Sequence, residues 1–404
     1  MKVQRVERHI LKHNLKEIDE LCFNSKNLYN YCNYILRQSF IQTGKLPKEY
    51  DLSKQLTDEK QVDWDKLHGN TNQQVLKLLY KNWKSFFKAN REYKIHPEKF
   101  NGRPRLPKYK HKTKGRNVVK FTKCGCRIRN GYIFFNKDCH IQPIKTKITQ
   151  DILAEARMVP QTNCYVLEIV YNKNVPDNKV YSENHLSIDL GINNFATCFN
   201  DTDNSSFIIN GKIVKSINQY WNKKSSELKS ILKKCSNQDY SKRLKKLTLK
   251  RNNKIDYYLH NMSKYIINYC VEHNIGTIIV GHNKEWKQDS DLGKINNQNF
   301  IQIPFSTFID QLKYKCENIG LEFIETEERY SSKIDHYALE EMKHQEKYLG
   351  KRKHRGLFQS SKGFELNADV NGAIGILRKV VDDSLFQKII NRGLGENPIR
   401  IRVA

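Results

Sequence analysis

Polar and apolar residues alternate from Lys2 to Ile10, the period of a half-buried strand, and predict a first strand there. From Leu15 to about Phe40 the period lengthens to that of a helix, with Ile18, Leu21, Cys22, Leu28, Tyr31, Cys32 and Ile35 on one face. A second helical stretch, about Thr71 to Asn90, carries Val75, Leu76, Leu79, Trp83, Phe86 and Phe87 at spacings of three and four. Pro97, Pro104 and Pro107 then exclude helix between His96 and Arg116. Strand-like runs follow at Val118 to Thr122, Tyr132 to Asn136 and Cys164 to Tyr171, enough with the first strand to close a small barrel into which the helical module is inserted.

The second half of the chain has a different rhythm. His185 to Leu190 is a short apolar run, Gly191, Asn193 and Asn194 are turn formers, Phe195 to Phe199 returns, and Phe207 to Val214 completes a three-strand meander. A long helical pair fills Ser216 to Asn274, followed by a strand at Thr277 to Val280, a helix at Pro304 to Asn318 and a strand at Leu321 to Glu327. After an insertion at 329–366, Val370, Ala373, Ile374 and Leu377 recur with helical spacing. Three strands, helices, strand, helix, strand, helix is the order that an RNase H-like mixed sheet flanked by helices requires.

Charge changes the picture. Lys and Arg total 71 against 43 Asp and Glu, a formal charge of +28, and this excess calls for a polyanionic partner. The cations are concentrated in the helical pair, from Lys223 to Arg251, and in the proline-bearing loop, where Arg103, Arg105, Lys108 and Lys110 surround Tyr109. Cations for phosphates beside an aromatic ring for bases suit single-stranded or structured RNA. With 38% hydrophobic and 11% aromatic residues the chain is not of disordered composition. Residues 1–5 start no signal peptide and no 18-residue apolar run occurs, so a cytoplasmic, nucleoid-associated prokaryotic protein with reduced thiols is expected and no membrane partner. Cys124-Gly125-Cys126 with Cys139-His140 is the nearest approach to a zinc pattern and reads as strand cysteines.

Two acids stand out against this background. Asp189 lies at a strand end beside a turn, and Asp369 opens a late helix. Either alone is an ordinary turn or helix-start acid, but the pair, with a basic chain between, suggests a RuvC-type nuclease site.

The surrounding motifs resemble the TnpB family of transposon-encoded, RNA-guided DNA endonucleases, relatives of type V CRISPR effectors. Besides the two acidic stretches they include Leu28-Tyr29-Asn30, the run Gly102 to Lys110, Asn296 to Phe300, and Lys353 to Phe358. The resemblance implies an α/β RNase H-like (RuvC) nuclease domain over 183–404, with the basic insertion at 329–366. It also implies an N-terminal wedge β-barrel in two parts, 1–15 and 100–182, carrying an inserted helical recognition lobe at 16–99. It further implies a guide RNA from the transposon end, a target double-stranded DNA, one monomer per RNA, and two Mg2+ ions.

The family pattern places a Glu directly after the fourth nuclease strand, where this sequence reads Val280-Gly281-His282-Asn283. Some relatives carry a relocated acid at the end of the fifth strand, directly before the residue preceding a Tyr. That pattern implies Glu328, ahead of Arg329-Tyr330, with Glu327 as the alternative, as the third catalytic and metal-binding acid beside Asp189 and Asp369. Family members also often carry two CxxC pairs in the insertion. Residues 329–366 here contain no Cys, and His336, His344 and His354 lack tetrahedral partners, so no zinc is expected. Lys353 and Arg355, with Lys351 and Arg352, are expected to face nucleic acid. The implied activity is metal-dependent cutting of double-stranded DNA chosen by RNA pairing next to a short flanking motif. The rivals are a nuclease-dead, RNA-guided repressor and a strand-joining transposase.

Overall fold

The computed structural model describes residues 1–404 apart from 14, 69, 162–163, 177–181, 237, 239, 284–301, 355, 394–396 and 404. The chain forms two compact units, Lys2–Asn174 and Val175–Ala404 with Met1.

In the smaller unit the alternating N-terminal run is strand β1 (Lys2–Ile10). The chain then leaves for four helices, α1 (Leu15–Thr43), α2 (Glu49–Asp58), α3 (Val62–Asp65) and α4 (Thr71–Ile95), before returning as β2 (Val119–Thr122). Strands β3 (Cys126–Arg129), β4 (Tyr132–Phe135) and β5 (Ile144–Lys145) make a small antiparallel sheet, and β6 (Leu153–Pro160) and β7 (Tyr165–Asn174) complete a larger one ordered β1-β7-β6-β2. Strand β6 is an addition to the sequence reading. Its Ala and Glu content is depleted in strands generally, yet it runs between β7 and β2 and buries Leu153, Ala156 and Met158. Neighbouring strands, not local propensity, decide its conformation.

Two of the family motifs turn out to be one physical assembly. Helix α1 staples the proline-bearing loop along its length: Asn30 Nδ2 donates to Lys110 O at 2.9 Å and Asn30 Oδ1 accepts from Lys110 N at 2.8 Å. Asn33 Nδ2 and Arg37 donate to Pro107 O at 3.0 and 3.2 Å, and Lys26 Nζ donates to Lys112 O at 2.6 Å. Asn33 is itself fixed by buried Trp83, whose Nε1 donates to its Oδ1 at 3.1 Å. A loop with three prolines lacks ladder partners, and these side chains supply them.

The larger unit is built on a six-stranded sheet. Strands β8 (His185–Leu190), β9 (Asn194–Asn200) and β10 (Ser206–Asn210) form the antiparallel meander. Two long helices follow, α5 (Lys212–Ser236) and α6 (Lys242–Glu272), then β11 (Thr277–Gly281), α7 (Phe305–Ile319) and β12 (Glu322–Thr326). The third meander strand is shorter than the hydrophobic run to Val214 suggests. The chain turns at Gly211, whose N–H donates to Asn193 O at 2.8 Å and where a Cβ would stand 3.1 Å from that same oxygen, so Val214 is buried from a helix instead.

Strand β11 pairs in parallel with β8 on one side and β12 on the other, giving the order β12-β11-β8-β9-β10. In the segment before the last acid, β13 (Lys351–His354), β14 (Leu357–Gln359) and β15 (Glu365–Asn367) form a small antiparallel sheet that runs directly into α8 (Ala368–Arg378). Helix α9 (Asp383–Asn391) follows, and β16 (Ile399–Ile401) closes the large sheet in parallel beside β10. No described helix is long and apolar enough to cross a membrane.

A buried polar knot organises residues 331–361. The Asp335 carboxylate accepts from Ser360 Oγ, Ser361 N and Ser361 Oγ at 2.7–3.0 Å, while Asp335 N donates to Glu340 Oε2 at 2.8 Å. Next to it His336 is fully buried, its Nε2 donating to Ser331 O at 2.7 Å and its Nδ1 lacking a hydrogen-bond partner. Burial, reinforced by Arg378 and opposed by Asp335, pulls its pKa from 6.5 down to about 4.

The unfolded chain therefore takes up a proton at this position below about pH 6.5 that the folded protein refuses until about pH 4. Stability present above pH 6.5 should be lost as the pH falls through that window, by up to roughly 3 kcal/mol. Urea unfolding measured at steps between pH 7 and 4 should show this loss, and a His336→Gln variant should flatten it.

Candidate active site

A cavity of about 1030 Å3 opens at the end of β8, and Asp189, Glu328 and Asp369 all line it. Each acid arrives by a different local device. Asp189 is the second-last residue of β8, a strand flanked on both sides, followed at once by a tight turn in which Gly191 N donates to Phe195 O at 3.1 Å. Asp369 stands in the first turn of α8, whose cap Asn367 accepts from Asp369 N and Val370 N at 2.9 and 3.3 Å. The helix N-terminus favours a negative charge there. Glu328 lies in the loop beyond β12, which ends at Thr326, one residue earlier than the sequence suggests.

The position where the family pattern carries a Glu has no room for one. A Cβ on Gly281 would collide with Ile376 of α8 and would stand 3.6 Å from Glu328 Cγ. The Glu328 side chain therefore occupies the space beside Gly281, reached from the neighbouring strand. Helix α8 comes equally close to β8, because a Cβ at Gly372 would lie 2.8 Å from Asp189 Oδ2. At Gly375 it would meet Ser331 O at 2.6 Å and His336 Nε2 at 2.5 Å. Three glycines thus let helix, strand and loop converge within van der Waals contact.

Convergence has an electrostatic consequence. Burial raises the Asp189 carboxyl well above the usual carboxylate range, and the charge of Glu328, a hydrogen bond shared with it, and the charge of Asp369 add to the effect; Arg352 opposes it. Glu328 is also raised, again chiefly by burial, with Asp189 and Lys379 acting against the shift. Two carboxyls held this close in a buried place disfavour each other's charge.

Asp369 is differently engaged: its Oδ2 accepts from Asn194 Nδ2 at 2.6 Å, and its Oδ1 lies 3.3 Å from Arg352 on β13. Among the described residues no three His, Cys, Asp or Glu side chains already stand as a closed ligand set. The donors are nonetheless all hard carboxylate oxygens, the chemistry that Mg2+ prefers.

Glu328 is held by its backbone. Asn283, just past β11, accepts from Glu328 N at 3.1 Å, Ser331 Oγ donates to Glu328 O at 2.8 Å, and Lys379 Nζ donates to the carbonyls of Glu327 and Arg329, both at 2.6 Å. Lys379 caps the C-terminus of the helix whose N-terminus bears Asp369. Glu327 points elsewhere, exposed and 3.6 Å from Arg329.

The other candidate residues divide. Arg103, Arg105 and Lys108 are exposed on the stapled loop of the smaller unit. Tyr109 is exposed with the Arg37 guanidinium 5.0 Å from its ring centroid, and Lys110 is half-buried over the Tyr29 ring at 5.1 Å. Lys353 is ion-paired with Glu365, so its ammonium is already engaged within the protein. Arg355, Glu285 and the Asn296 to Phe300 motif lie outside the described residues. Asn194, Asn283 and Lys379 were not picked out as site residues from the sequence, and Arg352, expected to face nucleic acid, lies 3.3 Å from Asp369 Oδ1. Only Asn194, in the turn right after Asp189, carried a local signal.

The described six-stranded sheet, with helices packed against it, has a RuvC nuclease fold of the Cas12 type. Comparison with known proteins agrees. The family described as a probable transposase, OrfB_IS605, matches residues 168–287, and the Cas12f1-like TNB domain matches 305–376. The TnpB-like protein ORF457 of Acidianus two-tailed virus is 26% identical over 204 residues, which is 48% of this chain but only 41% of that protein. Among solved structures, Cas12f1 in a complex with sgRNA and target DNA has a TM-score of 0.53 at 14% identity, covering 91% of this chain and 83% of that one. The mini-RNA-guided endonuclease CRISPR-Cas_phi3 has a TM-score of 0.54 at 9% identity, covering 98% and 94%. The chain is thus similar to TnpB-like proteins over part of its length, and spans less than half the length of the curated relative it matches.

The packing makes its own prediction. Lys379→Met should leave the protein folded while the amides of Glu328 and Ser331 exchange with solvent about tenfold faster or more, because two ties on the Glu328 loop are gone. Amides within β8 should be unaffected. Gly372→Ala should lower stability by about 1–3 kcal/mol through overpacking against Asp189.

Proposed function

We propose that the protein is an RNA-guided DNA endonuclease of a transposable element, with Asp189, Glu328 and Asp369 as its catalytic acids. The observation that carries this reading is the meeting of three acids, from three separate elements, at one cavity, with Glu328 in the space beside Gly281. These three would hold Mg2+, two ions in the family arrangement, and bound ions supply an activated water and charge stabilisation at the leaving oxygen. The chain's own part is to bring the acids together, to hold Glu328 by its flanking carbonyls, and to place Arg352 where it offsets their charge until substrate and ions arrive.

The remaining assignments follow the family. The four-stranded sheet of the smaller unit is the wedge and the helices between β1 and β2 are the recognition lobe. Guide RNA is gripped by Arg103, Arg105, Lys108, Tyr109 and Lys110 on the loop that α1 pins. The formal charge of +28 suits a protein that works only when loaded with RNA. Target double-stranded DNA is selected by pairing to that RNA. The polar knot at Asp335, in place of zinc, holds the segment before Asp369.

The test uses protein purified with its co-expressed RNA, that RNA sequenced, and a matching duplex offered with and without Mg2+. Cutting should require the ion. Glu328→Gln should reduce it by more than the roughly 10–100-fold usual for removing a residue that only supports a metal ligand, with guided DNA binding intact. Glu327→Gln and Glu285→Gln should cut normally. If Glu328→Gln cuts and Glu327→Gln does not, the assignment of the third acid is wrong. A wild-type complex that binds its duplex and never cuts would make the protein a repressor, and joined strands among the products would make it a transposase.

A further inference from the structure

The cavity that holds the acids has a second wall, and it is basic. Arg400 and Arg402 lie two residues apart at the C-terminal strand, so they project to the same side, away from half-buried Ile401, which packs on the sheet core. Lys212 and Lys215 lie three apart in the first turn of α5, again on one side. All four line the cavity with Asp189, Glu328 and Asp369.

None of these four cations has a carboxylate within ion-pair reach among the described residues. Their contacts are with amides: Lys215 Nζ donates to Asn193 Oδ1 at 3.2 Å, and Arg400 Nη1 donates to Asn194 Oδ1 at 3.2 Å. Asn194 in turn donates to Asp369. The Asn193-Asn194 turn therefore links Lys215 and Arg400 to the acids through neutral amides, not through direct ion pairs.

Four like charges that line one cavity disfavour one another, and the fold fixes the two elements that carry them. Strand β16 is fixed by parallel pairing with β10, where Ile208 opposes Arg400, and α5 starts directly from the Gly211 turn. Such a wall, left uncompensated next to a charged site, fits a polyanion threaded between the two sides.

We propose that Lys212, Lys215, Arg400 and Arg402 form a subsite for the backbone phosphates of the DNA strand being cut, seating phosphates next to the scissile one while the acids act. This rests on the nuclease reading and adds to it which face of the cavity takes the strand. Recognition is of the sugar-phosphate backbone and carries no sequence preference. The last strand of the chain thereby becomes part of the substrate-binding surface and not just an edge to the sheet.

The test compares the RNA-loaded wild-type protein with an Arg400→Gln/Arg402→Gln double variant in two assays. On a matching duplex, the double variant should bind the target within about twofold of wild type while cutting about 10–100-fold more slowly, and Arg400→Lys/Arg402→Lys should recover most of the rate. On a non-matching single-stranded DNA oligonucleotide, the slope of log affinity against log salt should fall by about 0.7 for each phosphate no longer neutralised, or about 1.4 for two. A double Gln variant that cuts at the wild-type rate with an unchanged salt slope overturns the subsite. If the wild type never cuts but the slope falls as expected, the nuclease reading fails and the subsite stands as a strand-binding surface. A variant that unfolds is replaced by Lys212→Gln/Lys215→Gln on the other element, judged by the same two assays.

Discussion

The close approach of α8 to the sheet is the constraint on which the larger unit depends. Helix and strand normally keep a side chain's width between them, yet here Gly281 and Gly372 remove that width at two points, and Gly375 does the same against the loop that carries Ser331. One result is steric: Ile376 covers Gly281, and the Glu328 side chain, from the loop after β12, lies in the space beside it. The other is electrostatic, since the same approach presses Asp189 and Glu328 together in a place where burial disfavours both charges. Side chains larger than hydrogen at these positions would push apart the acids whose closeness makes them a site.

Holding like charges together costs free energy, and the surrounding contacts show where it is offset. Arg352 and Asn194 take the oxygens of Asp369, while Lys379 and Asn283 fix the Glu328 backbone and leave its carboxyl for Asp189. Lys379 is notable because one helix supplies an acid at its N-terminus and, at its C-terminus, the ammonium that positions another acid. The buried Asp335 and His336 support the far side of that helix, with His336 meeting Ser331 in the same loop. Acid, helix and polar knot are thus one mechanical unit, and a change in the knot reaches the site through Ser331 and Gly375.

In the smaller unit the organising element is again a helix that supplies what another segment lacks. A loop with three prolines has few amides to pair, and Asn30, Asn33, Arg37 and Lys26 of α1 give its carbonyls partners. The loop is thereby pinned to α1 while Arg103, Arg105 and Lys108 stay exposed.

Much of this architecture follows from the sequence alone. Period-two and period-3.6 patterns place β1, α1, α4, β8, β9, β11 and α7 close to where they lie, because each has one buried face and burial is what those periods encode. Asp189 and Asp369 were identifiable because a strand end and a helix start are local features. The tertiary structure decided the rest. Strand β6 looks helical by composition and is a strand because two neighbours flank it. The place of Glu328 over Glu327 depends on where β12 ends relative to β11, a register that no window of residues contains. Lys353 pairs with Glu365, twelve residues on, only because β13 and β15 flank β14 in one small sheet. Arg400 and Arg402 join a site formed some 200 residues earlier only because β16 returns to pair with β10. Local periodicity reports which side of an element is covered; which charges then meet is set by chain paths that cross the whole unit, and only the folded sheet determines those.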